Sequence, residues 1–371
     1  MREMLERLRE LYNAALQERR DAYRKQNITL SAYCQMAELR GVREVREDIA
    51  AIHTHLLQDA ITRLDRAYRA FFRRCKAGEK PGFPRFRGKG RYRTFTFKDA
   101  KNRNGVRIAA GGQRLELAGI GKVKLKLHRP MEGVLKQVSV TMDGDGHWYA
   151  AFACTEIPNK PLPSAGERTG IDVGITTFAT LSNGEEVVNP RPYEAAQRKL
   201  KRAQQRVARK RNKRTVRRRK AVALLAGRHA KVERVRRDFH HKTALDLVQR
   251  FDSIKVEDLN IKGLAAGMLA KQVHDAGWAQ FITILAGKAE SAGRELIKVD
   301  PRGTSQECSG CGAVVKKTLA VRIHACPECG LVMGRDQNAA INIGKRPGHG
   351  RRGRIEQWLD PTIPRSPCLA P

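Results

Sequence analysis

Four of the eight cysteines form two CxxC pairs, and a glycine directly follows each pair. Fourteen residues separate the pairs. Two turns that each present two thiolates can complete a tetrahedron around one Zn²⁺. Four protein ligands leave no open coordination position, so the spacing predicts one structural Zn²⁺ and not a catalytic metal. The predicted ligands are Cys308, Cys311, Cys326 and Cys329.

Two other interpretations of this cysteine cluster stay open. His324, two residues before Cys326, offers an imidazole in place of a thiol. A redox dithiol at either CxxC is the second alternative. Two pairs at this spacing are nevertheless better explained by a single metal ion. The other four cysteines are scattered, which does not suit a secreted disulfide framework.

A second kind of chemistry is suggested by carboxylates in strand-like segments. In TGIDVGIT, Asp172 faces away from the apolar side chains because side chains alternate along a strand. The small neighbours Gly170 and Gly174 would let a metal ion and a phosphate approach this carboxylate. In SIKVEDLN, Glu257 alternates with the apolar residues in the same way, whereas the competing Asp258 shares their parity or lies beyond the strand.

A third acid, Asp336, begins the helical segment RDQNAAINI, in which Ala339 and Ala340 permit close packing on a sheet. Each acid alone is weak evidence, because the chain has 38 Asp and Glu and such residues are commonly caps or surface groups. Together they suggest two-metal hydrolysis of a phosphodiester, which needs carboxylates holding two cations about 4 Å apart. An all-carboxylate site favours two Mg²⁺ ions, with Mn²⁺ as the alternative.

The overall charge identifies the partner class. Lys and Arg number 73 against 38 Asp and Glu, a formal net charge of +35 that a polyanion such as nucleic acid would neutralise. The chain has no apolar stretch near the ~20 residues that span a bilayer. Its N-terminus lacks the apolar core of a signal peptide. We therefore expect a soluble protein without a membrane partner, located in the cytoplasm and associated with the nucleoid.

The elements that must position these residues follow from periodicity. Residues 1 to about 75 repeat apolar residues at helical spacing, and residues 93 to 157 alternate as strands of a small β-barrel or sandwich. Between them, Phe83, Phe86, Tyr92, Phe95 and Phe97 are interleaved with Lys and Arg, a composition that suits base stacking and phosphate contacts. The alternative is a basic linker whose aromatic residues dock on the next domain.

A Pro-rich break at 158–167 is the clearest domain boundary. A strand hairpin follows, and then a very basic helical region whose recurring apolar residues favour helices over a structureless tail. The next segments are a strand, an Ala-rich helix, a second strand, the cysteine cluster and a short helix. The chain ends in a Gly-, Pro- and Arg-rich tail that we expect to be disordered.

These ordered motifs resemble the TnpB/OrfB proteins of insertion sequences, relatives of type V CRISPR effectors. The resemblance rests on GIDVGITTFATLSNG, IKVEDLNIKGL, PRGTSQECSGCG, HACPECG and RDQNAAINI, and on LYNAAL, THLLQDAITRLDRAYRAFFRR and KPGFPRFRGKGRYRTFTF nearer the N-terminus. It covers nearly the whole chain to about residue 344. Family members commonly begin with an additional strand and helix before the LYNAAL-like segment, so the resemblance leads us to expect a barrel lacking one strand.

The resemblance implies an α/β and mixed multidomain protein with a RuvC-like, RNase H-fold nuclease core and an inserted zinc ribbon. It implies that Asp172, Glu257 and Asp336 are the catalytic acids and Mg²⁺ ligands. The expected parts are a helical recognition domain (1–80), a β-barrel wedge domain (81–160), the nuclease core (165–302 and 332–346, with basic helices 194–240), the zinc ribbon (303–331) and the basic tail (347–371).

The resemblance also implies an RNA-guided DNA endonuclease. Its partners would be a guide RNA derived from the element end and a double-stranded DNA target, with a functional link to a separate transposase. Base pairing would carry sequence recognition in such a system, while the protein holds the duplex by shape and charge. The arginines expected to contact nucleic acid are Arg85, Arg87, Arg91, Arg217, Arg218 and Arg219.

Other functions stay open at this point. A nuclease-inactive or truncated RNA-guided DNA-binding protein would use the same fold. A zinc-ribbon RNA-binding structural protein would be favoured if the acids prove scattered. A transposase or transposition accessory protein is the remaining alternative, because carboxylate clusters can also support strand transfer.

Overall fold

The computed structural model describes residues 1–348 except 110, 159, 213–214 and 319–320. Beyond residue 348, the tail that we expected to be disordered lies outside the described residues. The chain divides into two compact units, the first ending at Pro158. None of the helices in the described ranges combines the length and apolarity that a membrane crossing requires.

The first unit begins with helices, as the periodicity predicted. The two long ones bury an apolar stripe formed by residues such as Leu8 and Leu16 in α1 and Leu57 and Leu64 in α5. Asn27 ends α1 in the left-handed conformation typical of a helix C-terminus. The helices are α1 (Arg2–Gln26), α2 (Ala32–Ala37), α3 (Leu39–Val45), α4 (Glu47–Ala50) and α5 (Thr54–Lys76).

The closed β-barrel predicted for residues 81–160 is not found among the described residues. In the described part of this unit the strands form two separate three-stranded sheets, β1-β5-β6 and β2-β3-β4, and neither closes. Both sheets instead bury their apolar side chains in one core with α1 and α5. The strands are β1 (Thr94–Phe97), β2 (Val106–Ile108), β3 (Arg114–Leu117), β4 (Gly121–Lys124), β5 (Val134–Met142) and β6 (Trp148–Thr155).

The second unit contains a five-stranded mixed sheet in the order β11-β10-β7-β8-β9. Strands β7, β8 and β9 form an antiparallel meander. Strand β10 then pairs in parallel with β7, and β11 pairs in parallel with β10. The strands are β7 (Arg168–Val173), β8 (Thr177–Leu181), β9 (Glu186–Val188), β10 (Ser253–Glu257) and β11 (Glu295–Val299).

Helices cover both faces of this sheet. On one face, Phe281 and Leu285 of α10 and Leu247 of α7 pack against strand residues such as Ile171 and Ile254. The helices of this unit are α6 (Pro192–Ala208), α7 (Val216–Arg250), α8 (Ile261–Leu264), α9 (Ala270–Ala276), α10 (Trp278–Ala292) and α11 (Arg335–Lys345), with a hairpin of β12 (Ile323–Ala325) and β13 (Val332–Gly334) directly before α11. The opposite face carries α11, whose Ala339 and Ala340 are completely buried.

Candidate metal centre and carboxylate site

The four CxxC cysteines converge on one point. Their Sγ atoms all lie within 4.8 Å of one another. The Cys308–Cys329 and Cys311–Cys326 sulfur pairs are each 3.6 Å apart. Thiolates about 2.3 Å from a central zinc lie about 3.8 Å from each other in a tetrahedron. The quartet therefore fits one zinc ion, held by protein ligands alone.

Local turns preshape this quartet. The backbone N–H of Cys308 donates to the carbonyl of Ala313 (2.8 Å), and that of Gly312 donates to the carbonyl of Cys308 (2.9 Å). The second turn repeats this pattern between Cys326 and Leu331 (2.9 Å) and between Gly330 and Cys326 (3.0 Å). Gly312 and Gly330 have φ angles of 81° and 72°, which side chains with a Cβ rarely adopt. The glycine after each CxxC is thus part of the metal-binding turn.

His324 is buried beside the quartet and is not one of its ligands. Its Nδ1 contacts the Nζ of Lys317. The pKa of the Cys308 thiol is lowered to about 5, first by the backbone N–H of Cys311, and His324 contributes to this shift. The ring therefore supports the thiolate form of a ligand from outside the tetrahedron.

Two of the predicted catalytic acids lie at the carboxyl ends of neighbouring strands. Parallel strands β7 and β10 pair Gly170 with Lys255 and Ile171 with Val256. Asp172 directly follows Ile171, and Glu257 directly follows Val256. Partners in such a register point to the same face of the sheet, so these carboxylates share a face.

The third acid reaches the same face through helix packing. Asp336 lies in the first turn of α11, which crosses β7 at Gly170. A Cβ added to Gly170 would lie 2.1 Å from the carbonyl oxygen of Ala340 and 2.4 Å from the backbone nitrogen of Gly344. Only glycine at this position lets the helix approach so closely.

The electrostatics tie the three acids together. Burial raises the pKa of Asp172 well above its usual range, and the negative charges of Glu257 and Asp336 raise it further. Burial also raises the pKa of Glu257. Glu257 is buried, whereas Asp172 and Asp336 are half-buried. Carboxylates that are shielded from water and oppose one another's ionisation are stabilised by a cation.

The three carboxylates do not approach one another as closely as the thiols do. In the described ranges, the cysteine quartet is the one group of three or more potential metal-ligand side chains whose atoms all lie within 4.8 Å. Mutual repulsion keeps like charges apart when no cation is between them. Arg335 also draws the carboxylate of Asp336 toward itself, with nitrogen–oxygen distances of 3.0 and 2.9 Å.

Sequence reasoning missed two residues that contact these acids. The hydroxyl of Thr304 lies 2.6 Å from Oε1 of Glu257. Thr304 belongs to the motif PRGTSQECSGCG, but the motif gave no sign of a contact with Glu257. Arg335 was visible only as a charge next to an acid. The alternative acid Asp258 is exposed and bonds to Lys298 at 2.9 Å.

The three arginines of α7 that were predicted to contact nucleic acid differ in exposure and in bonding. Arg217 and Arg219 are exposed near the start of α7. Arg218 instead turns back onto the end of α6, where its Nη1 donates to the carbonyls of Val207 (2.9 Å) and Lys210. The side chain of Arg218 therefore satisfies helix-end carbonyls.

The aromatic and basic segment of the first unit also divides into two parts. Tyr92, Phe95 and Phe97 are buried in the core, as the docking alternative anticipated for these three. Phe83 and Phe86 remain 45% exposed. Arg85, Arg87 and Arg91 are exposed as well, although the guanidinium of Arg87 lies 5.6 Å from the centre of the Tyr12 ring.

The architecture has a counterpart among solved structures. It is similar to Cas12f1 in the cryo-EM structure of the Cas12f1–sgRNA–target DNA complex, with a TM-score of 0.58 and 15% identity over 92% of this chain and 81% of that one. A model for the TNB domain of Cas12f1-like proteins matches residues 278–343. The protein thus has the mixed α/β fold of the Cas12f class.

The sequence relatives of the chain show which protein family it belongs to. The OrfB model of the IS605 type, described as a probable transposase, matches residues 152–267. A putative RNA-guided DNA endonuclease of Streptomyces pristinaespiralis is 31% identical, covering 91% of this chain and 82% of that protein. The putative RNA-guided DNA endonuclease InsQ of Escherichia coli (strain K12) is 28% identical over 77% and 73% of the two chains. The chain belongs to the TnpB/OrfB family, and the resemblance seen in its motifs is confirmed.

Proposed function

We propose that this chain is an RNA-guided DNA endonuclease that hydrolyses phosphodiester bonds at a RuvC-like site formed by Asp172, Glu257 and Asp336. The observation that carries the proposal is that Asp172 and Glu257 lie in register on one face of the sheet, the face on which α11 brings Asp336. The charges of Glu257 and Asp336 accordingly raise the pKa of Asp172. The strand order and directions, an antiparallel meander extended by two parallel strands, support the proposal of an RNase H-like nuclease core. A chain of net charge +35 has little other reason to collect acids at one place.

The donor set fits the proposed metal. Three carboxylates offer only oxygen ligands, which Mg²⁺ and Mn²⁺ prefer. Bound there, two Mg²⁺ ions would activate water and stabilise the leaving oxygen of the phosphodiester. The protein's own contribution is to orient Glu257 through Thr304, to balance the charge of Asp336 with Arg335, and to hold Asp172 in a partly dry environment. The single Zn²⁺ would have a structural role.

The proposed partners follow from the relatives. Two of them are named putative RNA-guided DNA endonucleases, and the Cas12f1 complex contains an sgRNA and target DNA. For this chain we propose a guide RNA from the element end and a double-stranded DNA target, contacted by exposed cations such as Arg85, Arg91, Arg217 and Arg219. A functional link to a separate transposase rests on the family resemblance alone.

The test is cleavage of a target plasmid by protein purified with its co-expressed flanking RNA, in Mg²⁺. Asp172→Ala should abolish guide-dependent cutting. Asp258→Ala is the matched control, because Asp258 is a neighbouring acid that pairs with Lys298 at the surface, and it should cut like the wild type. Intact plasmid with RNA-dependent binding would favour a nuclease-inactive binding protein, and joined DNA products would favour a transposase.

A further inference from the structure

Thr304 occupies an unusual place between the carboxylate site and the cysteine quartet. It is 2% exposed and lies in the turn that connects β11 to the first CxxC pair. Its Oγ1 is 2.6 Å from Oε1 of Glu257 and 3.1 Å from the carbonyl oxygen of Pro301. A hydroxyl has one proton to donate, and a short bond to a carboxylate is the stronger of these two choices. One oxygen of Glu257 is therefore held by a buried donor.

The backbone of the same turn is held by α11. The side-chain amide of Asn342 donates to the carbonyls of Thr304 (2.9 Å) and Glu307 (2.8 Å). Asn338 donates to the carbonyl of Glu307 (2.7 Å) and accepts the backbone N–H of Ser309 (2.8 Å). Both asparagines are buried, so these bonds are shielded from competing water.

These contacts link three parts of the molecule through one short segment. Ser309 lies inside the first CxxC pair, α11 carries Asp336, and Thr304 touches Glu257. A shift of the turn would therefore move Glu257 relative to Asp336. The same bonds would carry a disturbance of the cysteine quartet to the acids.

We propose that Thr304 is a positioning residue that fixes Glu257 for cation binding, and that the turn from Thr304 to Ser309 sets the spacing between Glu257 and Asp336. The inference rests on the proposed function, because it treats Glu257 as a metal ligand. With Oε1 held by the hydroxyl, Oε2 is the oxygen left for a cation. Such supporting hydrogen bonds commonly change metal affinity by about 10–100-fold when removed.

The experiment measures Mn²⁺ binding to the zinc-loaded full chain by titration calorimetry, with Asp172→Ala defining the background. Mn²⁺ suits carboxylates and discriminates against the thiolate quartet. Thr304→Val, which keeps the shape and removes the hydroxyl, should weaken binding by about 10-fold or more. Thr304→Ser, which restores the hydroxyl, should bind close to the wild type.

Thr169→Val is the matched control for loss of a buried threonine hydroxyl. Thr169 is buried in β7, where its hydroxyl contacts Ser182 and no acid of the site. Thr169→Val should lose stability and keep its Mn²⁺ affinity, whereas Thr304→Val should lose Mn²⁺ affinity. If the role of Thr304 were merely structural, the two variants would not differ in Mn²⁺ affinity. Thr304→Ala, which adds no atoms, replaces the valine variant if that variant does not fold.

Equal Mn²⁺ affinity in Thr304→Val and wild type would overturn the positioning role, and the nuclease would stand if the wild type still cuts its target. If Thr304→Val binds Mn²⁺ more weakly than the wild type, but the wild type does not cut its target, the positioning role is supported and the nuclease is not. Wild-type binding no stronger than the Asp172→Ala background would overturn the positioning role, since Glu257 would then have no ion to hold.

Discussion

At the scale of single residues, the candidate site is a set of charges that the protein alone does not balance. Partial burial raises the pKa of Asp172, and its two acidic neighbours make its ionisation still less favourable. Arg335 offsets part of this charge through Asp336. In the proposed metal site, these charges would favour a bound cation and would lower the stability of the protein without it.

The first prediction concerns Asp172→Asn in zinc-loaded protein free of other divalent ions. The pKa of Asp172 in the folded protein lies above its ordinary value of 3.8. The protonated carboxyl therefore contributes stability that is fully present below pH 3.8 and is lost as the pH rises through the folded pKa. Asparagine stays neutral, so Asp172→Asn does not lose stability in this way. The variant should therefore melt at a higher temperature than the wild type at about pH 8, and the difference should shrink as the pH falls.

Asp258→Asn is the control for this measurement, because Asp258 is exposed and paired with Lys298. The melting temperature of Asp258→Asn should not rise above that of the wild type, at about pH 8 or at lower pH. Added Mg²⁺ should stabilise the wild type and leave Asp172→Asn unchanged. A wild type and Asp172→Asn that melt together at every pH would contradict the electrostatic account.

At the scale of elements, the site depends on how closely α11 lies on β7. The contact is made by small residues on both sides, Gly170 on the strand and Ala340 and Gly344 on the helix. The two buried asparagines of α11 then attach the turn before the cysteine quartet. Helix, strand and turn therefore form one packed group around the acids.

The second prediction tests this packing with Gly170→Ala. The added methyl group would meet backbone atoms at 2.1 and 2.4 Å, which cannot rotate away as a flexible side chain would. Overpacking of this kind costs about 1–3 kcal/mol or more, so the free energy of unfolding in urea should fall by at least that amount. Guide-dependent cutting should fall further than the loss of folded protein explains, because the variant also displaces Asp336.

Gly287→Ala provides the comparison within the same unit. Gly287 lies in α10, and an added Cβ would meet nothing within 4 Å. Because alanine favours a helix more than glycine does, this change should stabilise by up to about 1 kcal/mol and leave cutting unaffected. If both alanine variants unfold at the same urea concentration, the close approach of α11 to β7 is not a constraint.

At the scale of the whole molecule, the excess of positive charge and its distribution decide what the surfaces can do. The chain carries a formal +35, and many of these charges lie on the exposed sides of α6 and α7. Arg218 shows that a cation in a basic run can have a structural partner instead. The net charge predicts the class of partner, whereas the fold determines which basic side chains stay exposed to contact that partner.

The third prediction separates these two kinds of arginine by the salt dependence of guide RNA binding. The double variant Arg217→Ala and Arg219→Ala removes two exposed charges. It should reduce the slope of log affinity against log salt concentration by about 0.7 for each RNA phosphate that these arginines neutralise. The affinity of the double variant should also fall at low salt.

Arg218→Ala is the matched variant from the same run. It should lower the melting temperature by removing bonds to the carbonyls at the end of α6, while the salt slope stays near that of the wild type. The reverse result, with the slope changed by Arg218→Ala alone, would show that Arg218 leaves α6 to bind RNA. Guide RNA binding is measured over a series of salt concentrations at constant pH.

Sequence by itself determined the features that depend on neighbours along the chain. The cysteine quartet was readable because each pair is closed by a local turn with a glycine of positive φ. The sides of the strands that carry Asp172 and Glu257 followed from alternation, and the long helices followed from their apolar stripes. The ordered motifs together predicted the family, which the relatives confirmed.

Only the tertiary structure decided the features that depend on residues far apart in sequence. The parallel pairing of β7 with β10, the docking of α11 on Gly170 and the bond from Thr304 to Glu257 all join distant segments. The choice between a barrel and a sandwich also depended on distant residues, because the two sheets stay separate in the described residues and share a core with α1 and α5. Local propensity sets which elements form, whereas shape and burial across the fold set which elements meet.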